Sequence, residues 1–250
     1  QIARIGKPPI LNLPNQEWQF WEWMAGTATL TDHMQAKGIT VGPAVDYNTG
    51  WNLYRKDHQN TLLSLLGSHK PQIIWMYLPH TTGRTFNAKE NGLMEFLRQV
   101  VEKQMHYKRH IFFEGQHNLP AWRHKTILGL VMHNTLHSNE YHWCGHNVTD
   151  FETKLPAQRH SRILGTLPLK SLLAKCSCPK DTVHQHLKGI YTSGPHKDMD
   201  RSKIMQQYPQ TVVNAMVTDL THLLGTPPET KPKVSLLCEK AHAMTFRNES

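Results

Sequence analysis

Reactive side chains follow an apolar run near residue 78. The run "IIWMYL" ends at Leu78, and Pro79, His80, Thr81 and Thr82 come directly after it. Apolar runs of this length are typical of buried parallel strands, and open α/β sheets bind ligands at the loops that follow such strands. We therefore place a candidate functional loop after Leu78.

Three further groups follow other predicted strands. A turn of small residues contains Ala25, Gly26 and Thr27, Asp46 ends the next strand, and Glu114 lies near the end of a later one. A glycine in such a turn lets the backbone approach a cofactor closely. Asp46, 20 residues after Gly26, is placed to accept hydrogen bonds from ribose hydroxyls. The pattern fits any nucleoside-binding Rossmann-like fold.

A possible metal site lies in the segment "CSCPKDTVHQH". Its Cys176, Cys178, His184 and His186 supply two thiolates and two imidazoles within eleven residues, which is a donor set that suits tetrahedral zinc. The C-x-C spacing is tighter than that of a zinc finger, and 18 histidines make a chance cluster plausible. A bound zinc and a surface turn with incidental cysteines both stay open.

The charge of the chain indicates a polyanionic partner. The formal net charge is +9, which favours nucleic acid, RNA or DNA, although a soluble protein can simply be basic. Phosphate contacts of this kind are salt-sensitive and weakly sequence-specific. The densest basic groups are Lys103, Lys108, Arg109, Arg123, His124 and Lys125, and then Lys154, Arg159, Arg162, Lys170 and Lys175.

Composition excludes several classes of protein. No run of about 18 apolar residues is present, so we expect no membrane span. Four cysteines in 250 residues do not form a disulfide scaffold, which indicates a reducing compartment and an intracellular location. The chain has no initiator Met and no visible signal peptide, and we interpret it as part of a longer protein.

The elements that must position these groups alternate along the chain. The opening order of strand, small-residue turn, helix and strand predicts a Rossmann-like, doubly wound, mostly parallel α/β sheet with helices on both faces. The i, i+3, i+4 spacing of apolar residues predicts an amphipathic helix at 91–106. We expect an extended arm at 1–17, one domain at 18–224 with a loop-rich insertion at 146–208, and a tail at 225–250. Strands are expected at 18–26, 39–46, 72–78, 110–115 and 139–144, and helices at 29–38, 57–71, 122–134 and 209–224.

The order of the motifs adds a resemblance to a known family. The segments "EWMAGTATL", "GITVGPAVDYNTGWNL", "WMYLPHTTGRTF" and "FFEGQ", with the later "KCSCPKDTVHQHLKGIY" and "YPQTVVNAMV", span about residues 20 to 220. They resemble a class I S-adenosylmethionine-dependent methyltransferase of the cytosine-C5 type. The resemblance is greatest to the methyltransferase-like domain of some retrotransposon polyproteins. It implies S-adenosylmethionine as cofactor, with Ala25, Gly26, Thr27, Asp46 and Trp51 around it.

The departures from that family concern its chemistry. The family has a cysteine directly after Pro-Pro, and here Leu78-Pro79 is followed by His80. Cytosine-C5 methylation requires a thiolate that adds to C6, and imidazole does not replace it. Ala28 stands at the second glycine of the cofactor turn, and Glu114 is followed by glycine where the family has asparagine. The resemblance therefore implies a catalytically degenerate domain.

Three functions remain open at this point. The first is a degenerate methyltransferase-like module that binds nucleic acid in a mobile-element protein or ribonucleoprotein assembly, with other subunits contacting its terminal extensions. The second is an active nucleic-acid methyltransferase that uses a mechanism without cysteine. The third is a protein-interaction module stabilised by zinc.

Overall fold

A five-stranded mixed sheet forms the centre of the computed structural model, which describes residues 6–11, 13–78, 85–132, 136–204 and 207–224. The strands are β1 (Phe20–Trp23), β2 (Ile73–Tyr77), β3 (His110–Gln116), β4 (His137–His142) and β6 (His160–Gly165), while β5 (Ala157–Gln158) pairs with β7 (Gln185–His186) in a separate ladder. The sheet order is β1-β2-β3-β6-β4. β1, β2 and β3 are parallel, and β6 is antiparallel to both β3 and β4. Four of the five strands therefore run in the same direction.

Helices cover both faces of this sheet. They are α1 (Thr29–Ala36), α2 (Lys56–His69), α3 (Ala88–His106), α4 (Lys125–Met132), α5 (Arg201–Ile204) and α6 (Gln210–Leu223). One core cluster joins the sheet to α2, α3 and α4, and a second joins it to α1 and α6. Because β2 and β3 are covered on both sides, β2 is apolar almost throughout and β3 is apolar over Ile111–Phe113. The predicted Rossmann-like α/β class is confirmed.

The amphipathic helix expected at 91–106 is α3, and it begins three residues earlier. Asn87 and Glu90 form a reciprocal capping box, in which the Asn87 side chain accepts from the Glu90 N–H and the Glu90 carboxylate accepts from the Asn87 N–H. The expected strand at 39–46 forms only two isolated bridges, Phe20 to Val41 and Trp23 to Val45. The edge of the sheet next to β1 is therefore only loosely paired.

The tryptophans near the start of the domain belong to the core. Trp18, Trp21 and Trp23 are at most 1% exposed, and neighbouring rings meet edge to face at 4.8 Å. A Cβ at Gly42 would lie 2.5 Å from the Trp18 ring, so the chain passes these rings only because that residue is glycine. Base stacking by these tryptophans is excluded by their burial.

The segment 146–208 includes one strand of the main sheet and is thus more than an insertion. β6 lies within it, between β3 and β4. The remainder carries only short elements. Within it, Arg201 Nη1 donates to Asp150 at 2.6 Å. The remainder is fastened to α6 by Asp219, whose carboxylate accepts from the N–H groups of residues 171 and 172 at 2.9 Å.

Residues 6–11 and 13–17 form no helix or strand but contact the domain. Two histidine rings bind carbonyl groups of this arm: His58 Nε2 contacts the Gly6 oxygen at 3.1 Å, and His69 Nδ1 contacts the Gln16 oxygen at 2.9 Å. Of the extensions predicted to contact other subunits, 1–17 and 225–250, residues 1–5, 12 and 225–250 lie outside the described residues. None of the described helices is both long enough and apolar enough to cross a bilayer.

Glu22 is a buried carboxylate that holds α1 against β1. It is 2% exposed, and its Oε2 accepts from the Thr31 N–H at 2.8 Å and the Thr31 hydroxyl at 2.6 Å. Burial raises the pKa of Glu22 from 4.5 to about 7. The folded state therefore binds this proton more tightly than the unfolded chain between those two values.

Replacing Glu22→Gln tests this burial. In the wild type, the stabilisation from protonated Glu22 is fully present below pH 4.5 and is lost as the pH rises to about 7. The loss amounts to up to about 3 kcal/mol of unfolding free energy. Glutamine has an oxygen that accepts from Thr31 and has no charge to bury. We expect the unfolding free energy of the variant to exceed that of the wild type progressively as the pH rises from 4.5 to 7.5.

Chemical denaturation across that pH range measures the difference. Glu17→Gln is the matched control. It removes the same charge as Glu22→Gln, but from a side chain that is 61% exposed. Parallel pH curves for the wild type and Glu22→Gln would contradict the assignment.

Candidate functional site

Several of the predicted site residues lie at or near one edge of the sheet. We call this the carboxyl edge, which is formed by the last residues of β1, β2, β3 and β4 and the first residues of the reversed strand β6. Ligands of open α/β sheets bind at such an edge because the loops that leave the strands converge there.

The turn after β1 is built from left-handed backbone. Met24, Gly26 and Ala28 have φ angles of 53°, 57° and 56°, and the Ala28 N–H closes the turn on the Ala25 oxygen at 2.8 Å. A Cβ at Gly26 would meet nothing within 4 Å, and both Gly26 and Thr27 are exposed. The space expected above the glycine is present, while Ala28 occupies a conformation that favours glycine.

Asp46 holds this turn in place. Its Oδ2 accepts from the Gly26 N–H at 3.0 Å, and its Oδ1 accepts from the Asn48 N–H at 2.9 Å. Each oxygen therefore has already used one of its two acceptor positions. Trp51 donates its backbone N–H to the Asp46 carbonyl at 3.0 Å, but its ring is 2% exposed and belongs to the core.

These residues fit S-adenosylmethionine only in part. The turn leaves room at Gly26, and Asp46 lies within hydrogen-bonding distance of that turn. The carboxylate that would bind the ribose, however, already stabilises two backbone amides, and the Trp51 ring faces the core. We therefore derive no chemical step through this cofactor.

Glu114 belongs to a closed polar network on the face covered by α6. It is fully buried, its Oε1 accepts from the Tyr141 hydroxyl at 2.8 Å, and its Oε2 accepts from the Tyr208 hydroxyl. Burial raises the pKa of Glu114, and the Arg159 charge opposes that rise. Arg159 also stacks on Trp143, 4.2 Å from the ring centre. Both carboxylate oxygens thus bind tyrosines that connect β3 to β4 and to the segment before α6.

The loop with Pro79, His80, Thr81 and Thr82 lies outside the described residues. Leu78, which precedes it, is buried and donates its N–H to the Glu114 carbonyl at 2.7 Å. The loop therefore leaves the sheet beside Glu114.

The described cysteines lie at the carboxyl edge beside β4, at the opposite end of the strand order from β1. Cys144 follows β4, and β3 and β6 separate β4 from β2. Three inter-strand spacings amount to about 14 Å. Cys176 and Cys178 lie beside Cys144. None of these three thiols is near the end of β2.

A thiolate-rich cluster forms where β4 ends. The ligand atoms of Cys144, Cys176, Cys178 and His184 all lie within 4.8 Å of one another. The His184 Nδ1 donates to the Thr182 carbonyl at 3.0 Å, so Nε2 carries the lone pair and faces the Cys176 sulfur at 3.4 Å. A ring oriented in this way is typical of a metal-binding histidine. His186, the fourth residue of the predicted set, is exposed in β7 and is not part of the cluster.

Sequence spacing alone did not reveal Cys144. It lies 32 residues before Cys176, and backbone contacts bring the two segments together. The His142 N–H donates to the Ala174 carbonyl at 2.9 Å, and a Cβ at Gly145 would lie 2.6 Å from the Lys175 oxygen. The available signal is a cysteine at the end of a predicted strand, followed directly by glycine.

The basic residues divide between the two ends of the sheet. Lys103, Lys108 and Arg109 precede β3 and lie at the opposite edge, whereas Arg123 and Lys125 follow β3 and are exposed at the carboxyl edge. A cavity of about 460 Å³ adjoins these two side chains, and its other lining residues include Phe86, Asn91, Pro120 and His124. The carboxyl edge therefore combines cationic and aromatic groups.

Comparison with solved structures gives a loose likeness to a methyltransferase. No protein-family model and no curated protein matches the chain. The crystal structure of the S. pombe Dnmt2 methyltransferase is similar over 60% of this chain, with 10% sequence identity and a TM-score of 0.36. The chain covers 49% of that protein, which is about half of its length.

Zinc analysis distinguishes Cys144 from His186 as the fourth ligand. We expect the purified chain to retain about one zinc ion after dialysis against metal-free buffer, because a Cys₃His set is a closed structural site. Cys144→Ser and Cys176→Ser should lose this zinc, and His186→Asn should keep it. Elemental analysis by mass spectrometry measures the ratio of zinc to protein. Loss of zinc in His186→Asn but not in Cys144→Ser would restore the set expected from the sequence.

Proposed function

We propose that this chain is a class I methyltransferase-like domain that has lost cysteine-dependent methyl transfer and functions as a nucleic-acid-binding module. The observation that carries the proposal is the position of the thiols. The residue aligned with the family nucleophile is His80, and the described cysteines cluster after β4, a strand that lies three strand spacings, roughly 14 Å, from β2.

The chemistry of cytosine methylation makes this position decisive. The attacking sulfur must form a bond to C6 of the base, so it has to lie within contact distance of the bound ring. A thiol on the far side of β3 and β6 does not reach a base bound after β2. Glu114, which would hold the base, has both carboxylate oxygens engaged by tyrosine hydroxyls.

The carboxyl edge offers positive charge in place of that chemistry. Arg123 and Lys125 are exposed beside the cavity, and the Phe86 ring meets His124 edge to face with 4.6 Å between centres. Cationic groups beside an aromatic ring suit a phosphate backbone and an adjacent base. In the context that we propose, a mobile-element protein or ribonucleoprotein assembly, the terminal extensions at 1–17 and 225–250 contact other subunits.

One observation supports a methyltransferase that works without cysteine. Space remains open above Gly26, and the Asp46 carboxylate has acceptor positions left for two hydroxyl groups. Such an enzyme would transfer the methyl group to an oxygen or nitrogen of nucleic acid. Binding of S-adenosylmethionine distinguishes such an enzyme from a nucleic-acid-binding module without a cofactor.

Calorimetric titration with S-adenosylmethionine gives the first test. We expect no saturable heat at micromolar cofactor, because Asp46 is committed to the turn and Ala28 occupies the position of the second glycine. Micromolar binding that Asp46→Asn weakens at least tenfold would favour the enzyme and contradict loss of the cofactor site. Asn is preferred to Ala here because it retains one acceptor oxygen for the turn.

Nucleic-acid binding gives the second test. We expect the double variant Arg123→Gln, Lys125→Gln to bind single-stranded oligonucleotides at least tenfold more weakly. Removing two phosphate contacts should lower the slope of log K against log salt by about 1.5. Fluorescence anisotropy with DNA and RNA oligonucleotides of one sequence, at several salt concentrations, measures both quantities.

The matched control carries the same charge change at the opposite edge. Lys103→Gln with Lys108→Gln removes two cations that precede β3. Equal weakening by both double variants would indicate a response to net charge alone and would contradict an interface at the carboxyl edge. The absence of salt-sensitive binding by the wild-type chain would refute the module altogether.

A further inference from the structure

A second cluster of metal-ligating groups lies on the face of the sheet opposite to the Glu114 side chain. Along β6, Ile163 faces the core under α6 and Leu164 faces the core under α3 and α4. Because side chains alternate along a strand, His160 lies on the same face as Leu164. That places His160 at the carboxyl edge, outside the buried tyrosine network.

Strand pairing brings two further ligands to His160. The His117 N–H donates to the His160 carbonyl at 2.9 Å, which anchors the residue after β3 beside the start of β6. His142 is the ladder partner of His160, and Glu140, two residues earlier in β4, lies on the same face of that strand. His117, Glu140 and His160 therefore come from three adjacent strands or their ends.

The three side chains converge on the Glu140 carboxylate. The His117 Nδ1 lies 2.9 Å from Oε1, and the His160 Nε2 lies 3.2 Å from Oε2. The two imidazole rings stack 4.1 Å apart with 6° between their planes. All three ligand atoms lie within 4.8 Å of one another.

We propose that His117, Glu140 and His160 bind a divalent transition metal of the zinc class. Tetrahedral coordination at about 2.05 Å places neighbouring ligand atoms about 3.3 Å apart. The two nitrogen–oxygen contacts are of similar length and are hydrogen bonds to different carboxylate oxygens, so a bound ion would take the place of the shared protons. Two imidazoles and one carboxylate form a set that suits such ions.

The exposure of the cluster gives the site an open position. The side chains of His117, Glu140 and His160 are 43%, 36% and 36% exposed. A zinc-class ion held by three protein ligands keeps a fourth position for water or an anionic oxygen such as a phosphate oxygen. Lys175 is an exposed cation of the nearby segment, which weakens cation binding and favours an anion at that fourth position.

This site is chemically distinct from the thiolate cluster. Cys144 lies two residues after His142, but the two sets share no ligand. The thiolate set provides four ligands, three of them sulfur, whereas this set provides nitrogen and oxygen only. A spectroscopic probe that responds to sulfur can therefore separate the two sites, and the inference does not depend on the proposed function.

Cobalt titration of the full chain, loaded beforehand with one equivalent of zinc, tests the proposal. We expect a second metal equivalent that gives visible Co²⁺ bands without the near-ultraviolet charge-transfer band of a cobalt–thiolate bond. His160→Asn and Glu140→Gln should each weaken this binding at least tenfold. Cys176→Ser, titrated without the zinc preload because it lacks an intact cysteine site, should still give the sulfur-free Co²⁺ bands.

The control removes a histidine from the same strand outside the cluster. His137→Asn at the exposed start of β4 should bind Co²⁺ like the wild type. The proposal is overturned if the zinc-loaded wild type binds no further Co²⁺, or if both His160→Asn and Glu140→Gln bind as the wild type does. Circular dichroism verifies folding, and Glu140→Gln decides alone if His160→Asn fails to fold.

Discussion

The pairing of β3 with parallel β2 on one side and antiparallel β6 on the other determines where the polar groups of this protein meet. Parallel pairing aligns the ends of β1, β2 and β3, and the reversed β6 brings its first residues to the same edge. β4 pairs with β6 and returns to that edge as well. Period-two alternation then divides the polar groups between the two faces of the sheet. The Glu114 network lies on one face, and the His160 cluster lies on the other.

Carboxylates at this edge serve the fold before they serve any ligand. Glu22 accepts two hydrogen bonds from Thr31, Asp46 accepts two backbone amides, and Glu114 accepts two tyrosine hydroxyls. An acceptor that is already paired offers less to a cofactor, because binding must either share its remaining lone pairs or break an existing contact. Ala28 adds a local cost of about 1 kcal/mol for left-handed backbone in a residue other than glycine.

Periodicity and motif order predicted most of the fold but only part of the candidate site. α3 and β3 were predictable because apolar spacing and strand burial are local properties. β6 was missed because it begins with the polar residues "HSR", which lie at the carboxyl edge, and only its second half is apolar. Cys144 was missed as a cluster member because its partners depend on how the segment 174–178 packs against Gly145. The loop with His80, the residue aligned with the family nucleophile, lies outside the described residues.

The charge at the carboxyl edge depends on these internal hydrogen bonds of the carboxylates. An ionised carboxylate that is paired inside the protein contributes little to the electric field outside it. Burial raises the pKa of Glu22 and Glu114, which favours their neutral forms, so these two groups contribute less still. Arg123 and Lys125 are exposed and face no comparable set of free acids among the described residues that line their cavity. The field there is therefore positive, and a metal ion on Glu140 would neutralise one more carboxylate. A positive edge of this kind suits phosphate better than the cationic sulfonium of S-adenosylmethionine, which agrees with the nucleic-acid partner that we propose.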